Sequence, residues 1–180
     1  LFIIKMGKED KIIMAIKRDV LFRGELDSFQ GFRSYQKVDF ETRLLANYEW
    51  KRRGDIEEDP SYKHPISYGV IINSDTKNIF VYRRSKKKDD YHEKRLHGKI
   101  SIGIGGHVDF DGQEKVSNDF LENTMLRELL EEVDFDGYSN MKLIGYLNDD
   151  SNKVGEVHFG MLYIINTKAS IISPNDPEIA

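Results

Sequence analysis

Three glutamates and an arginine stand close together in the segment RELLEEVDF (127–135): Arg127, Glu128, Glu131 and Glu132. An α-helix turns about 100° per residue, so with Glu128 as reference Glu131 lies at about −60° and Glu132 at about +40°. The three carboxylates therefore share one face. Leu126, Leu129, Leu130 and Val133 fall on a neighbouring arc at about 100° to 200°, which puts the acids at the edge of the expected buried stripe. Like charges at i,i+4, as in Glu128 and Glu132, repel by roughly 0.2–0.5 kcal/mol. The acids also approach the negative end of the helix dipole, which disfavours anions. Arg127 offsets part of this, and a bound divalent cation would offset all of it. On spacing alone a metal site and a solvated acidic face are equally open readings.

Such a cluster needs a helix and a scaffold to present it. Residues 117–133 read as that helix, with Asp119 and Glu122 at capping-box spacing. KISIGIGGHV (99–108) alternates and then ends in the pair Gly105 and Gly106, where backbone can approach a ligand closely. ISYGVIIN (66–73), the turn SDTKN and IFVYRR (79–84) read as a hairpin. MKLIGYLN (141–148) and EVHFGMLYIIN (156–166) read as two more strands around the polar turn DDSNKVG. Upstream, KIIMAIKR (11–18) reads as a strand and residues 23–38 as irregular. DFETRLLANYEW (39–50) reads as a helix capped by Asp39, with Phe40, Leu44, Leu45 and Tyr48 at helical spacing. KRRGDIEEDPSYKHP (51–65) is charged, holds Gly54, Pro60 and Pro65, and reads as a linker. Strands, one central helix and more strands give an α/β class with a mixed sheet.

The composition narrows the function classes. The chain has 180 residues, of which 39% are hydrophobic and 32% charged, the balance of a globular domain. A net charge of −4 argues against a general nucleic-acid binder. No apolar run is long enough to span a bilayer, so no membrane partner is expected. Without cysteine there are no disulfides and no thiolate metal sites, which fits a reducing cytoplasm. The chain begins without Met and stops in SPNDPEIA, which leaves open whether it is a fragment of the natural protein and whether its C-terminus is truncated.

The order glycine pair, loop, acidic helix resembles the Nudix (MutT-like) hydrolases, in a phosphoesterase branch. Their signature runs Gly, five residues, Glu, seven residues, then Arg-Glu-aliphatic-x-Glu-Glu-x-Gly-aliphatic. Gly106 matches the signature glycine, and Arg127, Glu128, Leu129, Glu131 and Glu132 match its second half. The resemblance runs from about Tyr68 to Asn166 in strand order. It departs in three places: an insertion around DFDGQEKV (109–116), Asp119 where the isolated Glu stands, and Asp134 where the late glycine stands. The resemblance implies a Nudix-type α/β/α sandwich over residues 59–180, with residues 1–58 as an N-terminal extension. It implies hydrolysis of a diphosphate linkage in a nucleoside diphosphate derivative, with Mg²⁺ (or Mn²⁺) held by Glu128, Glu131, Glu132 and the Gly105 carbonyl. Hard cations take carboxylates and water, and phosphate chemistry needs such a cation. Glu131 and Glu156, the latter expected to open the last strand, are the candidate catalytic glutamates, and Arg127 would fix carboxylate rotamers. Asp149 and Asp150 are rivals to Glu156.

Other side chains carry two readings. Arg83 and Arg84, and the cationic run after them, would meet substrate phosphates or form a solvated loop. His107 could reach phosphate, though a histidine beside a glycine pair or in a strand, as His158 is, more often serves as a hydrogen-bonded structural residue. Tyr68, Tyr82, Phe22 and Trp50 could stack on a base, but core positions suit them better. The amphipathic helix of the extension could mediate a homodimer or pack on the sheet. A non-catalytic domain that binds a nucleotide or regulates a partner is the competing function. An isopentenyl diphosphate isomerase, which shares the fold, is disfavoured because that family relies on a cysteine.

Overall fold

The computed structural model describes residues 7–84, 98–112, 115–117 and 119–175. The cationic run after Arg84 lies outside them. Along the chain the elements are β1 (Ile12–Lys17), α1 (Arg18–Phe22), β2 (Gly31–Ser34), α2 (Phe40–Asn47), β3 (Glu49–Arg52) and α3 (Arg53–Ile56). They continue with β4 (Tyr62–Asn73), β5 (Tyr82–Arg83), β6 (Ile100–Ser101), β7 (Gly103–Ile104), α4 (Phe120–Glu132) and β8 (Val133–Asp134). The chain closes with β9 (Tyr138–Asn148), α5 (Lys153–Val157), β10 (His158–Thr167) and β11 (Ser173–Pro174). Neighbouring strands of the main sheet follow the order β2-β9-β10-β4-β1-β3, and β7 also pairs with β4. This is a mixed α/β fold, as the sequence predicts.

The chain forms two compact units, Leu1–Ile66 with His107–Leu121 and Gly145–Met161, and Ser67–Gly106 with Glu122–Ile144 and Leu162–Ala180. In the first, β1 pairs antiparallel with β3 and with the start of β4, Ile16 opposite Lys63. There β2 pairs with the end of β9, Gly31 opposite Asn148. Its core holds Phe22, Phe40, Tyr146 and Phe159, all nearly inaccessible, with ring centroids 5.1 to 6.0 Å apart and mostly edge-to-face. Asp39 caps α2 as expected, accepting from the Thr42 amide at 2.9 Å, and Phe40 and Leu44 form its buried stripe.

In the second unit β4 pairs with β7, Gly69 opposite Ile104. The expected hairpin is present as an Ile72–Ile79 bridge after the turn. α4 packs there on β4 where Gly69 leaves no side chain: a Cβ on Gly69 would come within 2.5 Å of Ile165 and 3.0 Å of Met125. β10 alternates strictly, burying Phe159, Met161, Tyr163, Ile165 and Thr167 across the two units, the period-2 pattern of a strand.

Several expectations need correction. Residues 23–38 include a strand, β2, because Gly31–Ser34 finds the edge of β9. Trp50 belongs to β3 rather than to the end of a helix, since β1 supplies Met14 as its pairing partner. The segment 51–65 is no linker: it holds the end of β3, all of α3 and the start of β4, and Lys63 and His64 are fully buried. Its charges are absorbed by specific pairs, such as Arg53 with Glu57 at 2.7 Å. Glu156 does not open the last strand but lies in α5, a short helix capped by the Asn152 side chain.

Candidate functional site

α4 sets the geometry of the acidic turn. Leu121, Met125 and Leu129 are at most 1% exposed and Thr124 is 6% exposed. On the helical wheel they stand at about +20°, +60°, +100° and −40° from Glu128. Glu128 and Glu132 thus lie within the buried arc, not at its edge as residues 126–133 alone predict. Leu130, expected on the apolar arc, is 65% exposed. The first two turns of the helix carry half of the buried face, and they shift its centre toward the glutamates.

The glycine pair and the acidic turn meet inside the second unit. A Cβ on Gly106 would fall 2.5 Å from Glu128 Oε2, so only glycine leaves the carboxylate its place. Gly105 has φ of +134°, a conformation that side chains rarely adopt, and a Cβ there would strike the Ser67 carbonyl. Gly106 O accepts from the Ser67 amide at 3.0 Å, which fixes the glycine turn to β4. Arg127 bridges two acids, reaching Glu128 Oε1 at 2.6 Å and Glu131 Oε1 at 3.0 Å. Glu128 is 13% exposed at its side chain and Glu131 60%. Glu132 Oε2 is fully shielded from solvent. A half-buried Glu128, a Glu132 with one shielded oxygen and an open Glu131, beside bare backbone, make a donor set that fits a hard divalent cation. Burial of anions on this scale is costly unless they are paired or coordinate a metal.

Arg83 and Arg84 follow Tyr82 at β5. Arg83 donates to Gly98 O at 3.2 Å, and the Arg84 guanidinium lies over the Tyr82 ring, 5.4 Å from its centroid. Tyr82 is itself buried, and burial pushes its hydroxyl up to about 12. Phe22 is likewise a core residue, and Trp50 packs on Tyr48, Phe110 and Phe120.

The first unit holds two further polar clusters. Lys63 Nζ donates to Asp150 Oδ1 at 2.7 Å, Gly155 O at 2.9 Å and His158 O at 3.3 Å. Asp150 also accepts from Arg18 at 2.8 Å and Asn148 at 2.9 Å. Burial would raise the Asp150 carboxyl, but Arg18, Lys63 and Asn148 together hold it well below the usual carboxylate range. Burial pulls Lys63 down, and Asp150 opposes that shift. Asp149 accepts from Ser151, Asn152 and Gln30, so both aspartates organise the turn before α5. Glu156 pairs with Lys153 at 3.0 Å.

His64, His107 and His158 form the other cluster, with ring centroids 5.1 to 5.8 Å apart. Burial pushes all three below the ordinary histidine range, His64 to about 4 with His158 adding to the shift. The sequence alone does not single out His64, because it stands in a segment with the composition of a linker. Nothing local marks it, since its neighbours arrive from residues 43 and 94 positions away.

Comparison with known proteins adds two likenesses. Over 168 residues the chain is 38% identical to "Protein YmaB" of Bacillus subtilis (strain 168), spanning 91% of this chain and 79% of that protein. It is also similar to a solved structure described as "Tm1382, a putative Nudix hydrolase", at 25% identity and a TM-score of 0.75, over 94% of this chain and 83% of that one. No family model matches.

Proposed function

The chain belongs to the family of protein YmaB and has a Nudix-type α/β fold, and on that footing we propose that it is a Nudix-type pyrophosphohydrolase. Its substrate class is a small-molecule diphosphate joined to another group, typically a nucleoside diphosphate derivative. Water adds to one phosphorus, the bridging P–O bond breaks, and two phosphate-bearing products leave. The observation that carries this reading is the acidic turn of α4: Glu128 seated against Gly106, and Glu132 shielded from solvent on the same face.

Glu128, Glu132 and Glu131, with the Gly105 carbonyl, would hold Mg²⁺ or Mn²⁺. When bound, the ion supplies charge neutralisation at phosphate oxygens and a more acidic water. Arg127 orients Glu128 and Glu131 and limits their rotamers. Glu131, the open carboxylate, is the proposed acceptor of the water proton, and Glu156 is its rival. Arg83 and Arg84 are proposed to meet phosphate oxygens, as guanidinium forks do. Positioning and electrostatics would supply most of the rate. With no cysteine to protect, a cytoplasmic setting suits the chain. Among the described residues no helix is long and apolar enough to cross a membrane.

The test is a phosphate-release screen over nucleotide sugars, dinucleoside polyphosphates, oxidised nucleotides and coenzymes, with and without Mg²⁺. Metal-dependent release from one class supports the reading, and Glu131→Gln and Glu156→Gln then identify the proton acceptor. Silence across every class would favour a domain that binds without turnover.

A further inference from the structure

We infer that His64, His107 and His158 form a second metal site, which takes a zinc-class transition-metal ion on three neutral imidazoles. It shares no ligand with the acidic turn and does not depend on the hydrolase reading. One ligand nitrogen from each ring lies within 4.8 Å of the other two. His158 Nε2 and His107 Nε2 are 3.2 Å apart. Two nitrogens on a tetrahedral zinc, at about 2.0–2.1 Å each, stand about 3.3 Å from one another. That pair is already at ligand spacing, and a modest movement of His64 completes the set.

The hydrogen bonds assign the tautomers in the sense that metal binding needs. His158 Nδ1 lies 2.6 Å from Val154 O, and a carbonyl only accepts, so Nδ1 carries the proton and Nε2 presents its lone pair. His64 Nε2 lies 3.1 Å from Ile56 O, so its proton is there and Nδ1 is the lone-pair nitrogen. Metal-bound histidines commonly donate their other ring N–H to a backbone carbonyl in this way. His64 is fully buried, and among the described residues its Nδ1 has no hydrogen-bond partner. A buried acceptor left without a partner is destabilising, and an ion at the centre of the cluster removes that cost.

The surroundings fit a cation of moderate affinity. Glu57 lies within electrostatic reach of His64 and His158 and pairs with Arg53, which partly balances it. Imidazole donors without thiolates or a full carboxylate set select Zn²⁺, Co²⁺, Ni²⁺ or Cu²⁺ over Mg²⁺. Three protein ligands leave a fourth position for water. The ion would tie together the start of β4, the residue after the glycine pair and the start of β10, segments distant in sequence.

The probe is Co²⁺, added to the chelator-stripped full chain and followed by visible absorption, then displaced with Zn²⁺. The expected result is saturation near one equivalent with the intense bands of a four-coordinate ion, lost as Zn²⁺ is added. His107→Gln and His158→Ala should each weaken uptake at least tenfold. Glu128→Gln combined with Glu132→Gln should leave the bands intact, which separates this site from the acidic turn. Zn²⁺ at about a hundred times its Kd should raise Tm by about 5–10 °C. Weak six-coordinate bands only, or strong bands unchanged in His107→Gln, overturns the inference. Should a histidine variant fail to fold, the wild-type spectrum still decides.

Discussion

The acidic turn of α4 and the histidine cluster of the first unit assemble ligands in opposite ways. Glu128, Glu131 and Glu132 come from one stretch of helix, so helical periodicity alone brings their carboxylates together. His64, His107 and His158 come from β4, the segment after the glycine pair and β10, and only tertiary folding joins them. The first set is hard, anionic and open on one side. The second is neutral, more enclosed and borderline in softness. The difference teaches that local spacing reveals a site only when one element carries all its ligands, and that the two donor types should sort different ions.

The largest expected effect tests the anionic side. Glu132→Gln should lower metal-dependent turnover by about 100- to 1000-fold on whichever diphosphate the screen selects, with the fold unchanged by circular dichroism. A smaller loss would mean that this shielded carboxylate is structural.

The first unit should answer in stability instead. Asp150→Asn leaves Lys63 buried without its counter-charge, and breaking such a pair costs about 3 kcal/mol, read from the urea midpoint. The same pair sets a pH dependence. The folded Asp150 carboxyl titrates below its unfolded value, so its contribution is fully present above about pH 4 and lost as pH falls below that. Wild-type protein should lose stability below about pH 4 more steeply than Asp150→Asn, where the titrating group is gone; parallel curves would assign the acid sensitivity elsewhere.

Gly106→Ala sharpens the comparison at lower cost. The new methyl meets the flexible end of Glu128 rather than backbone, so the fold should hold while Mn²⁺ affinity drops about 10-fold. Co²⁺ uptake at the histidines should not change. The smallest effect is expected from Leu130→Ser, within about 0.5 kcal/mol, because that side chain is exposed. A cost of several kcal/mol would restore the buried arc that residues 126–133 alone suggest.

Much of the second unit was legible in sequence. The glycine pair, the helix and the strands on either side each declare themselves by local pattern, and Gly106 does meet Glu128. The first unit was harder to read. Residues 51–65 look like a solvated linker because Arg53, Glu57, Lys63 and His64 are polar, yet their partners lie in a helix turn, in the Asp150 turn and in β10. Arg53 and Glu57 stand four residues apart, but Lys63 meets Asp150 87 positions further on and His64 meets His107 and His158, so no local window holds those partners. Glu156 reads as a strand residue in sequence because the five-residue helix that holds it, Lys153–Val157, is too short for periodicity to show.

The most direct test of the central claim is a Mn²⁺ titration of wild-type protein and Glu132→Gln, followed by the electron paramagnetic resonance of free Mn²⁺. The account predicts saturable uptake by the wild type below millimolar metal and at least a tenfold weaker affinity in the variant. Equal uptake by both, or none by the wild type at millimolar Mn²⁺, would contradict it.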